Sequence, residues 1–161
     1  MSDSIKIGIA DMNIVKAPGS LMTIGLGSCV GIAIRDKSLK IGGLVHVMLP
    51  DSSAVRSNSN IAKFADTGIP ELVRLLEKQG CSKLRMEAKI AGGAQMFSFQ
   101  NKNEMLGIGA KNVEASKKAL RLMGIRLVAE DCGDNYGRTV IFEPETGKYE
   151  IRAVGKETKF I

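Results

Sequence analysis

Short alternating segments and two segments with helical spacing organise the hydrophobic and polar positions of this chain. Residues 5–10 alternate as a half-buried strand does. The apolar runs VGIAIRD and KIGGLVHVML flank the polar turn DKSLK, a pattern that predicts a β-hairpin. In residues 60–79, apolar positions recur every three or four residues. That spacing predicts an amphipathic helix that ends at Gly80, with Pro70 as a candidate break.

The second half of the chain continues the mixture of strands and helix. KLRMEAKIAGG is predicted to form a strand followed by a glycine turn. Residues 111–124 have the spacing of a helix that ends at Gly124. IRLVAED, RTVIFE and KYEIRAV are predicted strands. Neither a strict strand–helix alternation nor an all-β spacing fits. We therefore predict an α+β fold, with residues 1–161 forming one domain.

Composition narrows the classes of function. The formal net charge of +6 suits an acidic partner, but basic residues are scattered and aromatic residues make up only 4%. Nucleic-acid binding, which uses basic tracts and stacking platforms, is therefore not expected. No apolar run approaches the roughly 20 residues that span a bilayer, and the N-terminus lacks a signal-peptide pattern. We expect a cytoplasmic protein without membrane insertion.

The cysteine and histidine counts exclude other classes. Three cysteines in a chain without a signal peptide argue against a disulfide framework. With a single histidine, His46, a closed metal site would need an unusual ligand set, so we expect no metal and no cofactor. Gly25 and Gly27 do not complete a dinucleotide fingerprint, because Val30 occupies the third glycine position. The glycine pair in AKIAGGAQMF fits a tight turn near other backbone.

The glycines before Cys29 instead suit a backbone turn that presents a nucleophilic side chain. Flexible backbone at Gly25 and Gly27 would let the chain aim a side chain, while the N–H groups around Gly27 and Ser28 could hold an oxyanion. Ser28 could itself be the nucleophile, but a cysteine is intrinsically better suited. The alternative is that Cys29 is a small core residue.

His46 is the candidate base, and the hairpin register decides whether it reaches Cys29. A turn loop of residues 37–38 or 36–39 places Cys29 directly opposite His46 on one face. A three-residue loop would put the two on opposite faces. A third group would orient the imidazole, with Thr23 and Asp51 as the candidates. Cys81 and Cys132 are interpreted as structural.

Six segments stand out in order along the chain: GLGSCVGIAIRD, HVMLPDS, KFADTGIPELVRLLEKQG, EAKIAGGAQMF, IGAKNVEASKKAL and GIRLVAEDCGDNYGRTVIFEPETGKYEIRAV. Together they resemble the CheD family, chemoreceptor glutamine deamidases of bacterial and archaeal chemotaxis. The resemblance covers nearly the whole chain, from about residue 5 to 154. Two positions depart from the family pattern. Phe64 stands where a tyrosine is expected, and Asp134 where a second glycine is usual.

The resemblance implies a cysteine hydrolase with a Cys–His–Thr triad, whose members fall on Cys29, His46 and Thr23. It therefore favours Thr23 over Asp51 as the orienting group. The implied fold is a sandwich of mixed β-sheets flanked by helices, similar to cysteine-dependent deamidating toxins. The implied reaction converts glutamine side chains of receptors to glutamate through a thioester, releasing ammonia.

The implied partners are the helical cytoplasmic bundle of chemoreceptors and CheC, the phosphatase of the phosphorylated response regulator. Phe97 and Phe99, in the polar segment after the glycine turn, are candidate partner anchors, with burial in the core as the alternative. Two other functions compete with the deamidase: a non-enzymatic adaptor that binds receptor or CheC, and a thiol hydrolase acting on a small amide.

Overall fold

A computed structural model describes residues 4–54, 59–96 and 107–161. Within these residues the chain forms two five-stranded sheets and two α-helices. The helices are α1 (Ala65–Lys78) and α2 (Ile108–Met123). The strands are β1 (Ser4–Ile7), β2 (Met12–Lys16), β3 (Ser20–Leu26), β4 (Val30–Asp36), β5 (Ile41–Val47), β6 (Met86–Gly92), β7 (Arg126–Cys132), β8 (Arg138–Phe142), β9 (Tyr149–Arg152) and β10 (Lys159–Phe160).

The two sheets pack face to face, and both helices pack on the second sheet. The first sheet has the strand order β1-β3-β8-β9-β10, and the second β2-β5-β4-β6-β7. β1 pairs with β3, and β6 with β7, in parallel, whereas the other pairs are antiparallel. α1 contacts β5 and β2, and α2 contacts β4, β6 and β7. These layers confirm the predicted α+β class and the sandwich of mixed sheets.

The second sheet is covered on both faces, which explains the apolar runs of its central strands. Every residue of β5 is buried, as is every residue of β4 except Arg35, which is partly exposed. One face of β4, including Val30 and Ile32, packs against the helices. The opposite face, including Ala33, packs against the first sheet. Strands buried on both faces lose the polar–apolar alternation of a surface strand.

Helix α1 is shorter than predicted and continuous. Residues 61–63 form a 3₁₀ turn that begins at Asn60, whose side chain accepts the N–H of Ala62. Phe64 is extended, so the α-helix starts at Ala65. The expected break at Pro70 is wrong: the proline lies within α1, near its N-terminal end, where it removes one hydrogen bond from the early turns. The other end is close to the prediction, at Lys78.

The hairpin register differs from the predicted one by two residues. Gly31, not Cys29, lies opposite His46, and Asp36 lies opposite Ile41. The turn therefore consists of residues 37–40, one position later than the predicted four-residue loop. The reason is the Asp36 carboxylate, which accepts the N–H groups of Ser38 and Leu39 and makes Asp36 the last strand residue. The even shift keeps Cys29 on the His46 side of the hairpin.

Candidate active site

A hydrogen bond between Thr23 and His46 joins the two sheets. Thr23 on β3 and His46 on β5 are both fully buried, and Thr23 Oγ1 lies 2.8 Å from His46 Nδ1. The same hydroxyl donates to the carbonyl of Ile7 at 3.1 Å. Because a hydroxyl has one hydrogen, it accepts from the imidazole, so Nδ1 carries the proton. The Nε2 atom of His46 is left with a free lone pair, as a base requires.

The imidazole of His46 is held neutral. Burial lowers the pKa of His46 to about 4. Its Nε2 atom is buried and has no hydrogen-bond partner within the described part of the chain. A buried polar atom without a partner costs free energy in the folded state. Such an atom in a folded protein calls for an explanation beyond packing.

Cys29 lies on the same inter-sheet side as His46, at the open end of the hairpin. It precedes β4 by one residue and is two residues from Gly31, the partner of His46, so Cys29 and His46 are two register positions apart. Cys29 is partly exposed and packs against the inter-sheet cluster that includes Leu44 and Ala33. Burial raises the pKa of the Cys29 thiol, an effect that its own amide partly offsets. Both shifts favour a neutral thiol beside a neutral imidazole.

Three hydrogen bonds fix the turn that carries Cys29. The carbonyl of Gly27 accepts from the N–H of Ala94 at 2.8 Å, and that of Cys29 from the N–H of Gly93 at 2.8 Å. The carbonyl of Ser28 accepts from the side chain of Asn112 at 2.9 Å. All three carbonyls are thereby occupied by the protein.

The N–H groups of this turn are less occupied than its carbonyls. The N–H groups of Ser28 and Cys29 make no main-chain hydrogen bond to any residue that the structure describes. The N–H of Gly27, one of the predicted oxyanion donors, instead donates to the carbonyl of Gly25 at 3.1 Å. The geometry therefore points to Ser28 and Cys29 as the donors that a developing oxyanion could use.

The glycine pair of AKIAGGAQMF is the support of this turn. Gly92 has φ +114°, and a Cβ there would lie 2.2 Å from the carbonyl oxygen of Cys29. Gly93 has φ +66°, and a Cβ there would lie 2.3 Å from Val113 Cγ2. Both positions thus need glycine for conformation and for space. The expected approach to other backbone is confirmed, whereas residues 93–96 do not form a regular turn.

A small cleft opens beside the turn. Its volume is about 80 Å³. It is lined by Ser28, Ala94, Gln95, Met96, Gly107, Ile108 and Gly109. Larger cavities lie elsewhere, one of about 610 Å³ on the outer face of the first sheet and one of about 520 Å³ between the helices. Volume alone therefore does not locate the candidate chemistry.

The other residues that the sequence offered as candidates do not join the Thr23–His46 pair in the described structure. Asp51 is exposed and accepts hydrogen bonds from Ser53, so the structure brings Thr23 rather than Asp51 to His46. Burial raises the pKa of Cys81 to about 11 and that of Cys132 to about 12, which suits core thiols. Phe97 and Phe99 lie outside the described residues. Sequence reasoning missed Asn112, because an asparagine within a helical pattern carries no signal of a distant contact.

The two departures from the family pattern have simple structural settings. Phe64 is fully buried in the junction before α1. Asp134 has φ +60°, a conformation that glycine adopts freely and that aspartate tolerates. Its carboxylate lies 3.9 Å from the buried guanidinium of Arg138. Neither residue contacts Thr23 or His46 through a hydrogen bond of the described structure.

In the ranges that the structure describes, no helix is both long and apolar enough to cross a membrane. A family model described as CheD chemotactic sensory transduction matches residues 48–153. The candidate triad precedes that match, but full-length relatives cover it. A protein of Lachnoclostridium phytofermentans named probable chemoreceptor glutamine deamidase CheD is 54% identical over 161 residues, which is 100% of each chain.

Further relatives carry the same name. The protein of Clostridium novyi is 52% identical over 95% of this chain and 94% of its own length, and that of Syntrophomonas wolfei is 48% identical over 100% of both. Among solved structures, a Neisseria meningitidis protein assigned to the family model DUF152 aligns with a TM-score of 0.55. That alignment covers 88% of this chain and 75% of the other at 7% identity, so it supports the fold alone.

Proposed function

The chain belongs to the CheD family, and from this premise we propose that it is a chemoreceptor glutamine deamidase that works through Cys29. The observation that carries the proposal is His46. Its Nδ1–H is bonded to Thr23, and its buried Nε2 lone pair has no partner in the described structure, on the same inter-sheet side as Cys29. The names of full-length relatives at about half identity support the same activity.

The reaction begins with a neutral pair. The pKa of Cys29 is raised and that of His46 is lowered to about 4, both by burial. Proton transfer from sulfur to Nε2 therefore accompanies attack on the substrate, rather than producing a resting thiolate and imidazolium. The sulfur forms a bond to the side-chain amide carbon of glutamine, and the carbonyl oxygen takes the negative charge. Thr23 keeps Nε2 as the accepting atom by holding the proton on Nδ1.

Collapse of this intermediate releases ammonia. The N–H groups of Ser28 and Cys29 hold the oxyanion, where each donor contributes about 3–4 kcal/mol in comparable acyl-transfer sites. His46 returns its proton to the leaving nitrogen, the carbon–nitrogen bond breaks, and a thioester on Cys29 remains. Water then loses a proton to His46 and attacks the thioester. The carbon–sulfur bond breaks, His46 returns the proton to sulfur, and glutamate leaves the free thiol behind.

The size of the cleft supports a protein side chain as the substrate. Metabolite pockets enclose about 300–1,000 Å³, whereas the cleft beside Ser28 holds about 80 Å³. A glutamine on the surface of a helical bundle needs only a shallow site for its side chain. The net charge of +6 suits an acidic bundle. These observations favour the receptor deamidase over a hydrolase of small amides, and a cytoplasmic location stays a prediction from the sequence.

Binding of the CheC phosphatase stays a prediction from the family resemblance. The competing function is a non-enzymatic adaptor that binds receptor or CheC and uses Cys29 only for packing. The orphaned Nε2 atom of His46 argues against it, because a purely structural histidine would have both ring nitrogens paired.

The test is incubation with glutamine-containing cytoplasmic fragments of several chemoreceptors. Ammonia release and site-specific conversion of glutamine to glutamate are read, the latter by mass spectrometry. We expect Cys29→Ala to lower kcat at least about 1,000-fold, because the nucleophile is lost. Cys81→Ala is the matched control: Cys81 is buried in the core, so this variant loses stability but keeps its activity per folded molecule. A folded wild type that converts no glutamine would favour the adaptor.

A further inference from the structure

We propose that Asn112 is a positioning residue that sets the separation of Cys29 and His46 by holding both chains of the β4–β5 pair at its open end. The proposal rests on the proposed function, since it assigns Asn112 to the machinery of the same site. Asn112 lies on α2, is fully buried, and belongs to neither strand.

The geometry is a two-armed clamp. Asn112 Nδ2 donates to the carbonyl of Ser28 at 2.9 Å and to that of Met48 at 2.9 Å. Ser28 immediately precedes Cys29, and Met48 follows His46 by two residues. One amide group therefore binds both the chain that presents the nucleophile and the chain that presents the base.

The clamp lies where the strand ladder stops. The last pair of the β4–β5 ladder is Val30 with Val47, so the next pair would have been Cys29 with Met48. Beyond Val30 and Val47, the hydrogen bonds of the ladder no longer join the two chain segments. The carboxamide of Asn112 takes over this task for the residues on which catalysis depends.

The chemistry of the clamp explains the choice of residue. Two carbonyl acceptors need two hydrogens from one neutral group, and a primary amide supplies both. A carboxylate has no donor, and a hydroxyl has only one. The Oδ1 atom of Asn112 is buried and has no partner within the described residues. The side chain thus leaves one of its own atoms unsatisfied while it satisfies two backbone atoms of the site.

Helix α2 is seated firmly enough to act as the anchor. A Cβ on Gly109 would lie 2.4 Å from the carbonyl oxygen of Ala94. The first turn of α2 therefore packs directly on Ala94, whose N–H binds the turn that carries Cys29. Ser116 donates to the carbonyl of Asn112 at 2.7 Å, one helical turn further along. The Ser116 bond goes only to the backbone of α2, whereas the packing of the first turn is what seats the helix that carries the Asn112 side chain.

The test compares Asn112→Leu with the wild type, because leucine keeps the volume and removes both donors. We expect kcat for receptor deamidation to fall at least about 30-fold with KM changed less than about threefold, since Asn112 does not touch substrate. The second readout needs no receptor: the pH dependence of Cys29 alkylation by iodoacetamide, read by peptide mapping. Loss of the clamp exposes Cys29 to water, so the pKa of its thiol should fall toward its ordinary value.

Ser116→Ala is the matched control, because it removes a buried hydrogen bond of the same helix without touching residues 27–29 or 48. It should leave both kcat per folded molecule and the alkylation profile unchanged. Wild-type kcat and a wild-type profile in folded Asn112→Leu would overturn the proposal. If that variant does not fold, Asn112→Gln decides, since its amide on a longer arm cannot reach both carbonyls: a wild-type profile there overturns the proposal equally.

The two proposals fail separately. A wild type that converts no receptor glutamine, while Asn112→Leu still shifts the alkylation profile, would reject the deamidase and retain the clamp. Conversion of receptor glutamine by the wild type, together with unchanged kcat in Asn112→Leu, would retain the deamidase and reject the clamp.

Discussion

The two ends of the β4–β5 hairpin treat buried polar groups in opposite ways. At the closed end the carboxylate of Asp36, fully buried, accepts the N–H groups of Ser38, Leu39 and Ser82 and pairs with the guanidinium of Arg85. At the open end, His46 Nε2 and Asn112 Oδ1 are buried without partners in the described structure.

The electrostatic consequences follow the same division. Burial alone would raise the pKa of Asp36, but Arg85 and the surrounding N–H groups lower it to about 2, so its charged form is stabilised. Burial lowers the pKa of His46 to about 4, so its charged form is destabilised. The satisfied end fixes the fold and its register. The unsatisfied end holds groups in the protonation states that the proposed acyl transfer needs.

Replacement of His46 should have the largest effect. His46→Asn keeps a donor near the position of Nδ1 but has no base, so we expect at least about a 1,000-fold loss of kcat for receptor deamidation. Ammonia release measures it. Activity within about tenfold of the wild type would mean that another base serves Cys29, and the contrast between the two ends would lose its chemical meaning.

The same variant should change how stability depends on pH. Because the folded pKa of His46, about 4, lies below the unfolded value of about 6.5, the unfolded state binds the extra proton between these pH values. Wild-type stability should therefore fall by about 3 kcal/mol as pH drops from 6.5 to 4 on account of this group. Denaturant melts from pH 4 to 7 should show that loss reduced in His46→Asn. Parallel curves for both proteins would contradict the buried neutral imidazole.

Replacement of Asp36 should act on stability instead of chemistry. Its folded pKa of about 2 lies below the ordinary carboxyl value, so its charge contributes stability above pH 4 that is lost as pH falls toward 2. We expect Asp36→Asn to cost about 1–2 kcal/mol at pH 7, since Arg85 is partly exposed, and kcat per folded molecule to stay within about threefold.

Glu71→Gln is the control for Asp36→Asn. Glu71 also pairs with an arginine, Arg74, but on α1 the arginine is exposed and the glutamate partly exposed, so loss of the pair should cost less than about 0.5 kcal/mol. Melts of both variants at pH 7 and pH 3 measure the difference. Equal losses in the two variants would show that burial of Asp36 adds nothing, and would weaken the structural half of the comparison.

The fold class and the candidate site residues could be predicted from the sequence, but the hairpin register that aligns Cys29 with His46 could not. Hydrophobic spacing predicted α1 and the hairpin because those patterns arise locally. The register depended on one side chain, Asp36, which ends the strand by binding the turn, and spacing alone did not distinguish a loop of residues 36–39 from one of residues 37–40. β2 and β10 were missed because short edge strands carry weak patterns.

Contacts between distant segments were the least predictable part of the site. The choice of Thr23 over Asp51 came from family resemblance, since six residues of chain before Cys29 do not reveal that β3 faces β5 across the sandwich. Asn112 was invisible for the same reason, because its acceptors lie 84 and 64 residues away. Side chains that join layers depend on tertiary packing, which local periodicity does not encode.

Among the residues of the open end, Thr23 has the smallest expected effect on kcat, and its hydroxyl is fully paired within the described structure. Thr23→Val keeps the shape but removes both the acceptor for His46 Nδ1–H and the donor to Ile7. The proton of His46 is then free to move to Nε2, where it blocks the base. We expect kcat to fall about 10-fold to 30-fold, less than for loss of His46, because the imidazole itself remains.

A spectroscopic readout separates this role from a structural one. The chain contains a single histidine, so ¹⁵N resonances of its imidazole need no assignment among several rings. The wild type should show Nδ1 protonated and Nε2 unprotonated at pH 7, Thr23→Ser should keep that tautomer and most of kcat, and Thr23→Val should show a mixture. If Thr23→Val keeps the Nδ1–H tautomer and loses activity, the threonine supports the fold of the site rather than the proton on His46. If it keeps both, burial alone fixes the base, and the open end needs no paired group to work.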